Sequence, residues 1–123
     1  MIYLDTNYLI LGLSRETPEA AKLVAWIQSG ELLITPVIAW YEFLCGPVTP
    51  IQITTMRAFL HEIVLFDEAH AAEAARLFNA VNRNRRLRVD AMIAGTATLL
   101  NAKLATNNQP DFAPFVAHGL ALV

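Results

Sequence analysis

Residues 1–13 read MIYLDTNYLILGL, a short apolar run that ends at an acidic residue and precedes a helical pattern. Residues 2–4 are wholly apolar, which predicts a buried strand. Either Thr6 or Asn7 is expected to cap the helix that follows, which runs to about Leu13. Asp5 therefore stands at the carboxyl end of the first predicted strand.

The same alternation of short apolar runs and helical spacing continues along the chain. Helices are predicted over 19–29, 36–46, 51–61, 68–82 and 89–101, and strands over 32–35, 63–66, 104–106 and 120–123. Residues 106–112 are interpreted as a turn-rich loop. Buried strands that alternate with helices are typical of a parallel sheet covered on both faces, so the predicted fold class is α/β. Ligands of such sheets bind outside the carboxyl ends of the strands.

The length and composition limit the class of protein. A chain of 123 residues predicts a single domain, 1–123. Hydrophobic residues make up 55% and charged residues 16%, against about 45–50% and about 25% in an average domain, which excludes a disordered chain. The apolar excess predicts exposed apolar surface that a second subunit or another partner covers. Cys45 is the only cysteine, which excludes a disulfide framework.

No membrane span and no export signal are predicted. The most apolar stretch, 32–48, is interrupted by Pro36, Glu42 and Pro47, whereas a spanning helix needs about 20 apolar residues. The first residues carry no basic region and no signal-type core, so a cytoplasmic location is expected. The net charge of −2 gives no overall positive field, so nucleic acid has to bind at a local basic patch.

Two acidic residues stand in apolar surroundings. Asp5 follows the first strand and is expected to point into the ligand crevice; a cap of the next helix is the alternative, although Thr6 and Asn7 could serve equally well as that cap. Glu42 lies in the apolar segment VIAWYEFLC (37–45), and on a helix it shares a face with Ile38 and Cys45. A carboxylate on an apolar face must be neutralised, paired or bound to a metal, and a structural ion pair is the simpler alternative.

Two further aspartates complete the acidic set. Asp90 opens the helix DAMIA (90–94), and ordinary helix capping is the alternative to a catalytic role there. Asp111 lies in TNNQPDF (106–112), and an Asx turn is the alternative for this residue. Clustered carboxylates repel, and each close pair costs roughly 4 kcal/mol at an effective dielectric near 20. A hard divalent cation removes that cost. The set therefore predicts Mg²⁺ or Mn²⁺ bound by oxygen ligands, and phosphodiester hydrolysis as the chemistry.

A basic segment immediately precedes Asp90. Arg83, Arg85, Arg86 and Arg88 are four of the nine basic residues, and arginine guanidinium groups match phosphates in shape and charge. Beside an acidic metal site they offset the repulsion of a polyanion, which indicates a nuclease. A solvated loop, or a surface for an acidic partner, is the alternative.

Four segments, in this order, resemble the PIN-domain family, and specifically the VapC-type toxin ribonucleases of toxin–antitoxin pairs. The resemblance covers essentially the whole chain. The segments are MIYLDTN with Asp5, Thr6 and Asn7; ITPVIAWYEFLCG with Glu42 and Gly46; RNRRLRVDAMIAGTA with Asp90; and LATNNQPDF with Thr106, Asn108 and Asp111.

The resemblance implies a three-layer α/β/α fold, a homodimer, metal-dependent cleavage of RNA, and inhibition by a VapB-like antitoxin. It implies that Asp5, Glu42 and Asp90 hold Mg²⁺ or Mn²⁺, and that Thr6 and Asn7 join the arginines in contacting RNA. One position departs from the family pattern, because many members carry a fourth acid where this chain has Asn108. Either Asn108 or Asp111 is then the candidate that completes the site.

Three other interpretations are open on sequence grounds. A phosphatase or receiver domain also begins with a strand and an acid, but it needs a second acid nearby, and position 7 is Asn. A PIN scaffold without catalytic activity would bind RNA or protein only, and the acids at 5, 42 and 90 argue against it. A PIN nuclease that acts in RNA maturation is the third.

Overall fold

The computed structural model describes residues 1–123, in which short strands alternate with helices. The five strands are β1 (Ile2–Leu4), β2 (Leu33–Pro36), β3 (Glu62–Val64), β4 (Lys103–Ala105) and β5 (Ala121–Leu122). The seven helices are α1 (Thr6–Leu11), α2 (Pro18–Gln28), α3 (Val37–Cys45), α4 (Pro50–Phe59), α5 (Glu68–Ala80), α6 (Arg88–Leu99) and α7 (Gln109–Val116).

All five strands form one parallel sheet, which confirms the predicted fold class. The strand order is β3-β2-β1-β4-β5, and each neighbouring pair is parallel. The chain therefore builds outward from β1 to β3 and then returns to the opposite side of β1 to place β4. In sheets of this kind the ligand crevice opens where the order reverses, here between the carboxyl ends of β1 and β4.

The core lies on both faces of the sheet because side chains alternate along each strand. Ile2 and Leu4 face the cluster that α1, α2, α3 and α4 cover, whereas Tyr3 faces the cluster under α5, α6 and α7. This arrangement confirms the three-layer α/β/α architecture. None of the helices combines the length and the apolar character that a membrane crossing requires.

Helices α5 and α6 approach each other closely at a glycine. A Cβ atom on Gly95 would lie 2.8 Å from the backbone nitrogen of Ala74 and 2.9 Å from its Cα. A side chain at this position would push the helices apart. The close approach fixes α6, which carries Asp90 in its first turn.

The structure corrects two local predictions. Residues 109–116 form α7, so the expected loop over 106–112 is wrong in its second half; Pro110 stands in the first turn, where its missing N–H costs nothing. The cap of α1 is Asp5, whose side chain accepts a hydrogen bond from the Thr6 backbone N–H, and neither Thr6 nor Asn7.

Much of the apolar excess is exposed, with Tyr41 at 58%, Leu65 at 71% and Ile51 at 79% accessibility.

Candidate functional site

An acidic cleft of about 330 Å³ opens beside the carboxyl ends of β1 and β4. Three carboxylates line it, and they come from the end of β1, from α3 and from α6. The lining residues are Asp5, Thr6, Asn7, Glu42, Val89, Asp90, Ile93, Asn107 and Asn108. The structure thus brings six of the predicted site residues to one place.

Asp5 is held by both of its carboxylate oxygens. Its Oδ1 accepts from the Thr6 backbone N–H at 2.8 Å, and its Oδ2 accepts from the Thr106 hydroxyl at 2.8 Å. The residue is only 8% exposed. Asp5 therefore does serve as a helix cap, as the simpler interpretation had it, and it lines the cleft as well. Thr106 directly follows β4 as Asp5 follows β1, which is the signal that could have placed the two together.

Glu42 lies on the surface, so the premise that singled it out is wrong. Glu42 is itself exposed, and on its helix face Cys45 is exposed and Ile38 is only partly buried. Glu42 forms no ion pair, so the alternative interpretation of this residue as half of a structural ion pair has no support. Its one hydrogen bond is a long one of 3.3 Å, which the Thr6 hydroxyl donates to Oε2.

Asp90 is half-buried in the first turn of α6 and caps no backbone group. Burial raises the pKa of Asp90 above its ordinary value. The nearby carboxylates that raise this pKa further are those of Asp111, Asp5 and Glu42, and Arg86 opposes them. Asp90 therefore lies in the combined negative field of the cleft, which a cation would relieve.

Asn108 and Asp111 are bonded to each other at the cleft rim. The Asn108 side-chain amide donates to Asp111 Oδ2 at 2.8 Å, and the Arg86 guanidinium donates to Asp111 Oδ1 at 2.9 Å. Asp111 is paired with Arg86, and it does not line the cleft. The Asx-turn interpretation of Asp111 is wrong, because this residue lies in the first turn of α7.

The other predicted arginines lie outside the cleft. Arg83, Arg85 and Arg88 are exposed and form no ion pair, and Arg88 lies over the Phe78 ring at 5.6 Å from its centroid. Sequence reasoning missed Glu19, which accepts a hydrogen bond of 3.0 Å from the Asn107 side chain and ties the cleft rim to α2. Nothing in the local pattern around Glu19 indicates that contact.

The donor chemistry of the cleft matches a hard divalent cation. Its carboxylate and amide oxygens are the ligands that Mg²⁺ takes, together with several waters and one or two protein carboxylates. No three His, Cys, Asp or Glu side chains already stand in an arrangement that could hold a metal ion. The residues that line the cleft match such a cation in the kind of ligand atom they offer.

Comparisons with known proteins agree with this geometry. The family model described as PIN domain matches residues 2–113. A chain of the toxin–antitoxin complex from Klebsiella pneumoniae is 27% identical, over 92% of this chain and 91% of that one, with a TM-score of 0.73. No curated protein matches the sequence.

Two further solved structures share the fold. A chain of FitAcB from Neisseria gonorrhoeae is 23% identical over 100% of this chain and 97% of its own, with a TM-score of 0.70. A chain of VapBC2 from Rickettsia felis, bound to a DNA fragment from their promoter, is 20% identical over 100% and 98%, with a TM-score of 0.72.

Proposed function

This chain belongs to the PIN domain family, and we propose that its acidic cleft is the active site of a metal-dependent ribonuclease. The observation that carries the proposal is the meeting of Asp5, Glu42 and Asp90 in one cleft, from three separate elements. None of the three is paired with a basic side chain. Unpaired carboxylates that share a cleft are a common way to hold a hard cation.

Asp5 and Asp90 are the proposed ligands, with Glu42 at the mouth of the cleft. A Mg²⁺ or Mn²⁺ held there would supply Lewis-acid chemistry, lowering the pKa of a bound water and offsetting charge on a phosphate. Asp5 is preorganised for this role by its two hydrogen bonds. Glu42 is exposed and keeps Oε1 free of protein partners, so this oxygen can accept a proton from an attacking water.

RNA is the proposed substrate, and the basic segment is its proposed contact. The chain carries a net charge of −2 and the cleft is acidic, so a polyanion needs local positive charge. Arg83 and Arg85 are exposed and free of ion pairs. Thr6 and Asn7 line the cleft beside Asp5, where they can contact the backbone of a bound strand.

We further propose that this nuclease is the toxin of a VapBC-type pair and forms a homodimer. The 27% identity to a chain of a toxin–antitoxin complex supports the first part. An apolar groove of about 510 Å³ between α2, α4 and the segment that joins α1 to α2 offers a site for a segment of a VapB-like antitoxin, with Leu23, Val24 and Ile27 in its wall. Apolar surface elsewhere, including Tyr41 and Leu65, is available to a second copy.

Cleavage of single-stranded RNA tests the proposed activity. The purified protein should cleave RNA with Mg²⁺ or Mn²⁺, stop when EDTA is added, and recover when the cation is restored. Asp90→Asn, purified identically, should be inactive, whereas Glu16→Gln, an exposed acid outside the cleft, should match the wild type. Full cleavage in EDTA would refute the metal mechanism, and a folded protein inactive with both cations would favour the silent scaffold.

A further inference from the structure

A chain of polar contacts runs from the basic segment to the buried carboxylate of the cleft. Arg86 donates to Asp111 at 2.9 Å, and the Asn108 side chain donates to the same carboxylate at 2.8 Å. The Asn108 backbone N–H then donates to the Thr106 hydroxyl at 3.0 Å, and that hydroxyl donates to Asp5 at 2.8 Å. Asn108 is therefore anchored at both its side chain and its backbone.

The contact with Asp111 fixes which way the Asn108 amide points. An ionised carboxylate only accepts hydrogen bonds, so the Asn108 group that faces Asp111 has to be the NH₂ group. The Arg86 guanidinium, which can only donate, bonds to the other oxygen of the same carboxylate. The carbonyl oxygen, Oδ1, then points away from Asp111, and it has no protein partner of its own.

Asp111 lies outside the cleft, where other side chains hold its carboxylate. One oxygen accepts from Arg86 and the other from Asn108, and the side chain is 22% exposed. Asn108 lines the cleft and Asp111 does not. Beside the three carboxylates of Asp5, Glu42 and Asp90, the fourth position of the cleft is therefore filled by Asn108, whose side-chain oxygen is neutral.

We propose that Arg86 and Asp111 are positioning residues, which hold Asn108 so that its Oδ1 serves as a neutral fourth oxygen for the cation or its water. This inference rests on the proposed function, because it needs a cation in the cleft. It also removes Arg86 from the set of RNA-contacting arginines and gives it a role in metal affinity.

A double-mutant cycle with Mn²⁺ alone tests the role of Asp111. Calorimetric titration without RNA measures Mn²⁺ affinity for the wild type, Asn108→Ala, Asp111→Ala and the double variant. Loss of an outer residue that orients a ligand costs about 10–100-fold in metal affinity. We expect each single variant to lose on the order of 10-fold and the double variant to lose no more than Asn108→Ala does.

An Asp111→Ala loss that persists in full in the Asn108→Ala background would overturn the inference, because Asp111 would then act through its own charge or as a ligand. If Asp111→Ala unfolds, Asp111→Asn replaces it, with the same expectation. A wild type that cleaves RNA but shows an additive cycle contradicts the positioning role alone. A wild type that binds no Mn²⁺ contradicts the proposed function and this inference together.

Arg86 supplies an independent test through the sign of its effect. Removing a positive charge near an acidic site should tighten Mn²⁺ binding if charge alone matters. The positioning role predicts the opposite, a weaker affinity for Arg86→Ala with partial recovery in Arg86→Lys. Arg85→Ala, the neighbouring exposed arginine without an ion pair, is the matched control and should not weaken Mn²⁺ binding. Tighter binding by Arg86→Ala would exclude the role.

Discussion

The Thr106 hydroxyl donates a hydrogen bond of 2.8 Å to Asp5 Oδ2, and the two residues lie 101 positions apart in the sequence. Each directly follows a strand, and the two strands, β1 and β4, are neighbours in the sheet. The bond joins the carboxyl ends of β1 and β4, where the strand order reverses, and holds the Asp5 side chain that lines the cleft. It also supplies a buried donor to a carboxylate that has no basic partner.

Thr106→Val should destabilise the fold more than an ordinary threonine substitution. It removes a hydrogen bond to a charged group, worth about 1.5–3 kcal/mol, and also the bond that this hydroxyl accepts from the Asn108 backbone N–H. A hydrogen bond between neutral groups is worth about 1 kcal/mol. Thr35→Val is the matched control, since the buried Thr35 hydroxyl donates to the neutral Leu4 carbonyl at 2.8 Å. Urea unfolding measures both. Equal losses in the two variants would show that the Asp5 contact is not special.

Asp90→Asn should stabilise the cation-free protein at neutral pH. The pKa of Asp90 is raised in the folded state, chiefly by burial, so the fold binds its proton more tightly than the unfolded chain does. Stability therefore falls as pH rises through the interval between the unfolded and the folded pKa, and asparagine avoids that loss. Thermal unfolding in EDTA should show a gain above this interval and none below it. If the wild type is as stable as the variant at neutral pH, the folded structure does not raise the pKa of Asp90, and the prediction is wrong.

Gly95→Ala should lower the free energy of unfolding, because its Cβ would lie 2.8 Å from the Ala74 nitrogen. Overpacking of this kind costs about 1–3 kcal/mol, against a gain in helix propensity of about 1 kcal/mol. In Gly46→Ala, the control, the nearest atom is the Phe43 carbonyl oxygen at 3.4 Å and φ is −80°, so we expect little change. A stabilised Gly95→Ala would show that α5 and α6 can separate freely.

Arg83→Ala combined with Arg85→Ala should weaken RNA binding and flatten its dependence on salt. Each phosphate contact to a single strand contributes about 0.7 to the slope of log K against log salt. Fluorescence anisotropy in EDTA separates binding from cleavage. The control is Arg15→Ala, which changes an exposed arginine in the apolar groove beside α2. An unchanged slope would assign the basic segment to a protein partner.

The architecture was predictable because its signals are local. Short apolar runs separated by helical spacing indicate buried parallel strands, and the family resemblance drawn from four segments is confirmed by the match over 2–113. The helix α7 was not predicted, because the Asn108 before it and the Gln109 and Pro110 that open it are typical of turns as well as of helix starts.

The contacts around the site were not predictable, because they join distant segments. The Arg86–Asp111 pair spans 25 positions and the Asn107–Glu19 bond spans 88. Glu42 was chosen for an apolar face that is in fact exposed, so its place at the cleft rests on tertiary structure and on the family pattern. The roles of Asp5, Glu42 and Asp90 as metal ligands stay predictions.

The position of a bound cation would show whether the acidic cleft is the metal site of this protein. Anomalous diffraction from crystals soaked in Mn²⁺ should show one peak in the cleft, within direct coordination distance of carboxylate oxygens of Asp5 and Asp90. A cleft without a peak, in crystals of a preparation that cleaves RNA with Mn²⁺, would contradict the assignment of the active site.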